Sequence, residues 1–212
     1  MIIEKNIKNL IFDLGGILLN IDFQKSVDEF KKLGFSEFGN ILNNYWLNDF
    51  FHDFEKGLIL PKDFRAKIRK MSNINISDNE FDNAWNAMIL DFPSNRIETL
   101  KSLSKTYSLF LLSNTNIIHY DIYNADFSKQ FSTNGLEELF EKAYFSHQIK
   151  MRKPDLAIFK LVLDENNLIA DETIFIDDND ENLNAAILLN ISALKIVSNS
   201  DFSEVLKKYI KM

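Results

Sequence analysis

Apolar and polar positions change rhythm along the chain. Leu10-Ile11-Phe12 is a short apolar run that ends in Asp13 and breaks at Gly15-Gly16, which predicts a buried strand followed by a sharp turn. Ile17 to Asp22 continues as a mostly apolar loop or hairpin-like segment. From Phe23 onward the spacing is helical. Phe23, Val27, Phe30 and Leu33 recur at steps of three or four until Gly34, where a first helix is expected to stop. Ile41, Leu42, Tyr45 and Trp46 suggest a second helix, running toward Phe54. Pro61 opens a third with Phe64 and Ile68 on one face. Ser77-Asp78-Asn79-Glu80 has capping-box spacing before Phe81, Trp85, Met88 and Ile89, a fourth. Four helices without an intervening strand predict a helical insert at 23–91.

Beyond Pro93 the pattern alternates. Helices are expected at 95–105, 137–142, 154–162, 181–190 and 202–209. Between them lie apolar runs at 109–112, 143–146, 173–176 and 193–197, each short enough to be a strand. Such alternation implies an α/β fold, a parallel sheet with helices on both faces. The core is then 1–22 joined to 92–212, interrupted by the insert.

Composition narrows the partners. A hydrophobic share of 46% supports a real core, and the net charge of −7 provides no basic field for nucleic acid. A small phosphate needs only a local positive spot. The absence of cysteine rules out disulfides and thiolate metal sites, leaving oxygen and imidazole ligands. Neither a signal peptide nor a bilayer-spanning apolar segment is visible, so a cytoplasmic location away from membranes is expected. A monomer is favoured, though the sequence does not fix oligomeric state.

Polar residues collect at the strand ends. Asp13, Ser113-Asn114-Thr115-Asn116 and Asp177-Asp178 each follow an apolar run, and Lys153 stands just before Pro154. In a parallel sheet these positions converge on one edge, where ligands bind. Carboxylates, a hydroxyl and a lysine make a hard oxygen site suited to Mg²⁺ and phosphate. Each piece has a plainer use: Ser113 to Asn116 as a helix cap, Asp177-Asp178 as a solvated loop, Lys153 as a surface residue. Their joint occurrence in this order favours the site.

With those residues in view, the chain resembles the haloacid dehalogenase-like hydrolases, and within them a sugar-phosphatase branch that acts on hexose 1-phosphates. The matching segments are Phe12-Asp13-Leu14-Gly15, Leu112 to Asn116, Met151-Arg152-Lys153-Pro154, and Asp177-Asp178-Asn179 with Asn182. Phe51-His52 and Glu55-Lys56-Gly57-Leu58-Ile59 also match that branch. The resemblance implies a Rossmann-like core with the insert as a four-helix cap. It implies a Mg²⁺-dependent phosphatase acting on a small phosphorylated metabolite. Asp13 would be the nucleophile and Lys153 the catalytic cation. Ser113, Asn114 and Lys153 would bind the phosphoryl group. Asp13, Asp178, the Gly15 carbonyl and, directly or through another ligand, Asp177 would hold the metal.

One position departs from most phosphatases of that family. The acid–base Asp expected two residues after the nucleophile is Gly15 here, a Gly the branch shares. Such a group is typically worth ~10²–10⁴-fold. An acidic leaving group would tolerate its loss, or Asp22, His52 or Glu55 would supply the proton. His119 and His147 are expected to be surface or packing residues, Trp46 and Trp85 insert core, and Glu55 and Gly57 to shape the insert's approach to the cleft. Competing readings are a 2-haloacid dehalogenase, against which Gly15 and the acidic pair argue, and a non-catalytic phosphosugar-binding or regulatory protein. A receiver domain is set aside because its acidic pair precedes the phosphoacceptor strand.

Overall fold

A computed structural model describes residues 6–43 and 49–210. Five strands, β1 (Asn9–Phe12), β2 (Ser108–Ser113), β3 (Lys142–Phe145), β4 (Thr173–Asp177) and β5 (Ser192–Lys195), form one parallel sheet in the order β3-β2-β1-β4-β5. Central β1 pairs with both neighbours, Phe12 lying opposite Leu111 and opposite Ile176. Every residue of β1 is buried, as its unbroken apolar run requires of a strand covered on both faces.

The two-residue period of the strands sorts the core into two layers. Leu10, Phe12, Leu109, Leu111, Ile174 and Ile176 face one side. There they pack on α6 (Ser94–Leu103), α7 (Ile117–Phe131) and α11 (Ser203–Leu206). Ile11, Phe110, Leu112 and Phe175 face the other, against α9 (Leu156–Glu165) and α10 (Asp180–Ile187). Burying each side chain of this size contributes on the order of 1.5–3 kcal/mol. An aspartate at Ile11 would instead put an unpaired charge between sheet and helices.

The insert has its own aromatic core. Its helices are α1 (Phe23–Lys32), α2 (Phe38–Asn43), α3 (Asp49–Glu55), α4 (Pro61–Ser72) and α5 (Asp78–Asn86). Phe30, Phe38, Phe51, Phe54, Phe64, Phe81 and Trp85 pack together, with Phe54 and Phe64 stacked at 3.8 Å. The signals read from sequence have their physical counterparts. Gly34 takes φ +97° past the end of α1, Pro61 sits in the first turn of α4, and Ser77 and Glu80 close a reciprocal capping box on α5. The second expected helix is described as two pieces, α2 and α3. The side chains of Ile41, Leu42, Tyr45 and Trp46 lie outside the described residues.

Three stretches differ from expectation. The helix expected at 137–142 is only a 3-10 turn, Leu136–Leu139, because Lys142 already pairs in β3. Helix α7 runs for 15 residues where the sequence pattern offers only its cap, because its buried positions Ile118, Tyr123 and Phe127 are separated by polar residues. The helix expected from Pro154 starts two residues later, at Leu156. Lys153 therefore lies in the turn before it, after the short α8 (Ser146–Ile149). Insert and sheet are joined by two antiparallel crossings. The amide of Asp22 donates to the Met88 carbonyl at 2.8 Å, and that of Asn20 to Asp91 at 2.9 Å. Asn199 holds the crossing by bonding both the N–H and the C=O of Ile21. No helix among the described residues is long and apolar enough to cross a membrane.

Candidate active site

Adjacent strands β2, β1 and β4 end level with one another, and their next polar residues form the floor of a cleft. Asp13 extends β1 by one bond, its N–H donating to the Ile176 carbonyl at 2.9 Å. Ser113 and Asp177 close β2 and β4 and are 2% and 0% exposed. All three line a cavity of about 290 Å³, together with Gly15, Asn114, Lys153, Asp178 and Asn182.

Lys153 reaches this floor from its turn because Asn114 clamps its backbone. Asn114 Nδ2 donates to the Lys153 carbonyl, and the Lys153 N–H donates to Asn114 Oδ1, both at 2.8 Å. The buried ammonium then bonds Asp13 Oδ1 at 2.7 Å and Asp177 Oδ2 at 2.8 Å. Burial pulls this ammonium toward its neutral form, but the two carboxylates overcome that pull and raise its pKa.

Asp177 is engaged at both oxygens. Oδ2 also accepts from Asn182 Nδ2 at 3.0 Å, and Oδ1 accepts from the Asn179 N–H at 2.8 Å. Asp178 has a different setting. A Cβ on Gly16, whose φ is +79°, would stand 2.5 Å from both Asp178 Oδ2 and Ser198 Oγ. Only glycine leaves the carboxylate room there.

Asp13, Asp177 and Asp178 each offer an oxygen within 4.8 Å of the others. Three carboxylates share one lysine, so negative charge is in excess. Burial accordingly pushes Asp13 up to about 7, and Asp177 and Asp178 add to the rise against the pull of Lys153. Burial also raises Asp178. A hard divalent cation fits this donor set and would relieve the excess.

The wall above the floor comes largely from the insert and the crossings: Leu19, Ile21, Phe23, Glu55, Trp85, Met88 and Ile89. Ile21 occupies the space next to Gly15, its Cδ1 lying 3.3 Å from where a Cβ would be. Glu55 is fastened to the turn that carries Lys153. Its Oε2 accepts from Arg152 Nε at 2.9 Å, both residues being more than nine-tenths buried. Ser146 Oγ lies 2.7 Å from the Glu55 carbonyl and accepts from the Thr115 N–H. Lys150 donates to the Gly57 carbonyl at 2.8 Å.

The remaining candidates separate. Asp22 caps α1 by accepting from the Gln24 N–H and does not line the cleft. His52 lies beside Glu55 and Arg152, outside the cleft lining, and burial lowers its pKa. His147 is buried packing, as expected. His119 is half-buried packing, stacked on Trp85 at 5.1 Å and 3°, and it also lines the cleft, which was not expected. Its signal in the sequence was its place three residues after the cap Asn116, whose side chain accepts from the His119 N–H.

Comparison with known proteins agrees with this geometry. The family model described as haloacid dehalogenase-like hydrolase matches residues 10–196. A D-ribitol-5-phosphate phosphatase of Bacteroides thetaiotaomicron is 28% identical over 202 residues, covering 94% of this chain and 97% of the relative. A sesquiterpene phosphatase of Aspergillus oryzae is 28% identical over 193 residues, 91% of each chain. Among solved structures, a HAD family enzyme of B. thetaiotaomicron in complex with magnesium and inorganic phosphate superposes with a TM-score of 0.85. It is 40% identical and covers 94% of this chain and 98% of its own.

Proposed function

The chain belongs to the haloacid dehalogenase-like hydrolases, and from that premise we propose that it is a Mg²⁺-dependent phosphatase of small sugar or polyol phosphates, a hexose 1-phosphate among them. The observation that carries the reading is Lys153, buried and shared between Asp13 and Asp177 beneath an acidic cleft. Supporting it are the ribitol-phosphate phosphatase relative and the neighbour that binds magnesium and phosphate. In this reading residues 23–91 are a cap over the core formed by 1–22 and 92–212.

Lys153 holds Asp13 Oδ1, leaving Oδ2 to attack phosphorus as the ester bond to the leaving alcohol breaks. The alcohol takes up a proton. Water then attacks the aspartyl-phosphate, the bond to Asp13 breaks, and inorganic phosphate departs. Ser113 and the Asn114 N–H hold phosphoryl oxygens, since the Asn114 side chain is committed to Lys153. Lys153 stabilises the charge that develops there. Asp13 and Asp178, with the Gly15 carbonyl, would hold Mg²⁺, and Asp177, which accepts from three donors, orients Lys153 and Asn182. When bound, Mg²⁺ offsets the repulsion between carboxylate and phosphate and favours ionised Asp13.

Ile21 fills the place beside Gly15 where a proton donor would stand, and Asp22 is occupied as a cap. Glu55 lines the cleft but is ion-paired with Arg152, so departure of the alcohol depends on its own acidity. Across a series of aryl phosphates under conditions where chemistry limits the rate, turnover should rise steeply as the leaving phenol becomes more acidic. A flat series sinks this account. The function itself is tested by phosphate release from hexose 1-phosphates, hexose 6-phosphates and pentitol 5-phosphates. Release should require Mg²⁺, stop with a chelator and be absent in Asp13→Asn. Chloride release from a 2-haloacid in excess chelator would refute it.

A further inference from the structure

Most of the cap side of the cleft is hydrocarbon: Leu19, Ile21, Phe23, Met88 and Ile89. Two polar rings interrupt it. Trp85 is 3% exposed, and its Nε1–H has no hydrogen-bond acceptor among the described residues. His119 lies parallel to it, with Nδ1 2.8 Å from Asn86 Oδ1. A ring nitrogen facing a carbonyl oxygen carries the proton, so Nε2 holds the lone pair. Burial keeps this imidazole neutral, its pKa pushed down to about 3. The Trp85 Nε1–H is enclosed in the aromatic core, out of a ligand's reach, so the His119 lone pair is the group that meets a substrate hydroxyl, which donates to it. An apolar alcohol in the same place would leave that lone pair unpaired, the situation a polar pocket rejects most strongly.

We propose that His119, held by Asn86 and the Trp85 ring, determines specificity by accepting a hydrogen bond from a hydroxyl of the alcohol that leaves phosphorus. The substrate is then the phosphate ester of a polyhydroxy compound and not of an apolar alcohol. The inference rests on the phosphatase reading and assigns a residue which that reading leaves unused. It also ties recognition to cap position, because His119 belongs to α7 while Trp85 and Asn86 belong to α5. The hydroxyl site is complete only with the cap seated on the core.

The test compares kcat/KM for hexose 1-phosphate, hexose 6-phosphate and pentitol 5-phosphate with that for p-nitrophenyl phosphate, which lacks an alcohol hydroxyl. Farnesyl phosphate serves as the apolar ester. His119→Phe keeps a ring on Trp85 but removes both nitrogens. For the best hydroxylated ester, its kcat/KM relative to p-nitrophenyl phosphate should fall roughly 10- to 100-fold, the effect of a lost hydrogen bond with its partner left unpaired. His119→Gln, which retains an acceptor, should recover part of the ratio. An unchanged ratio in His119→Phe overturns the proposal, as does a wild-type preference for farnesyl phosphate. Either result leaves the phosphatase reading standing. Failure of the wild type with Mg²⁺ to release phosphate from any ester, p-nitrophenyl phosphate included, overturns both.

Discussion

On the floor of the cleft, at the ends of β1, β2 and β4, polar groups are bonded chiefly to one another. Lys153 joins two carboxylates, Asn114 holds Lys153, and Asp177 accepts from three donors. The cap wall is built differently. Its interior is stacked aromatic rings, and the half-buried His119 of α7 lies parallel against Trp85 at its edge. A floor locked by its own bonds presents one fixed geometry, as a common phosphoryl group requires. A wall of packed side chains varies by single substitutions without disturbing that geometry. On the proposed reading, chemistry lies at the strand ends and selection where α7 meets the insert.

Substitutions in the floor should therefore have the largest effects on turnover. Asp13→Asn should reduce phosphate release by on the order of 10⁴–10⁶-fold, as loss of a covalent nucleophile does, while far-ultraviolet circular dichroism stays unchanged. Lys153→Met removes the charge that two buried carboxylates share. It should lower turnover on the order of 10²–10⁴-fold and cost about 3–5 kcal/mol of stability in urea titrations without metal. A Lys153→Met enzyme with near-normal turnover would show that floor and wall do not divide the work in this way.

The same contrast explains what the sequence made legible. Strand ends deliver side chains to a predictable edge, so Asp13, Ser113 and Asp177-Asp178 were identifiable from short apolar runs and the residues after them, and Lys153 from its place before Pro154. The sheet is stated by short apolar runs buried on both faces, and the caps at Gly34, Pro61 and Ser77 by turn chemistry that acts over three or four residues. The wall depends on contacts between residues far apart in sequence. Trp85 meets His119 across 34 positions and Glu55 meets Arg152 across 97, and neither pairing has a local signature. Helix α7 escaped notice for a related reason: its buried side is set by the sheet it packs on and not by a regular stripe of its own.

Glu55 tests whether the wall also steadies the floor. Its ion pair with Arg152 is buried, and Arg152 immediately precedes Lys153. Breaking such a pair from one side leaves an uncompensated charge and typically costs about 3–5 kcal/mol. Glu55→Ala should lose about 3 kcal/mol in urea unfolding, yet retain turnover within roughly tenfold of wild type at temperatures where it stays folded. A loss as deep as that of Lys153→Met would make Glu55 part of the floor.

The smallest effect distinguishes the two regions by sign. Burial pushes the wall's His119 down to about 3 from an ordinary value near 6.5. Its contribution to stability is complete above pH 6.5. It is lost as pH falls toward 3, because the unfolded chain binds a proton that the folded one refuses. The floor's Asp13 is pushed up to about 7, so the folded chain is the better proton binder between about pH 4 and 7, and acid stabilises it there. Each change is worth up to ~1.4 kcal/mol per pH unit. Urea unfolding between pH 7 and 5 in the presence of a chelator should therefore give opposite outcomes. His119→Phe should lose less stability than wild type on acidification, by about 2 kcal/mol, and Asp13→Asn should lose more. Parallel shifts in the two variants would mean that their protons are not bound where burial places them, and that floor and wall are one electrostatic unit.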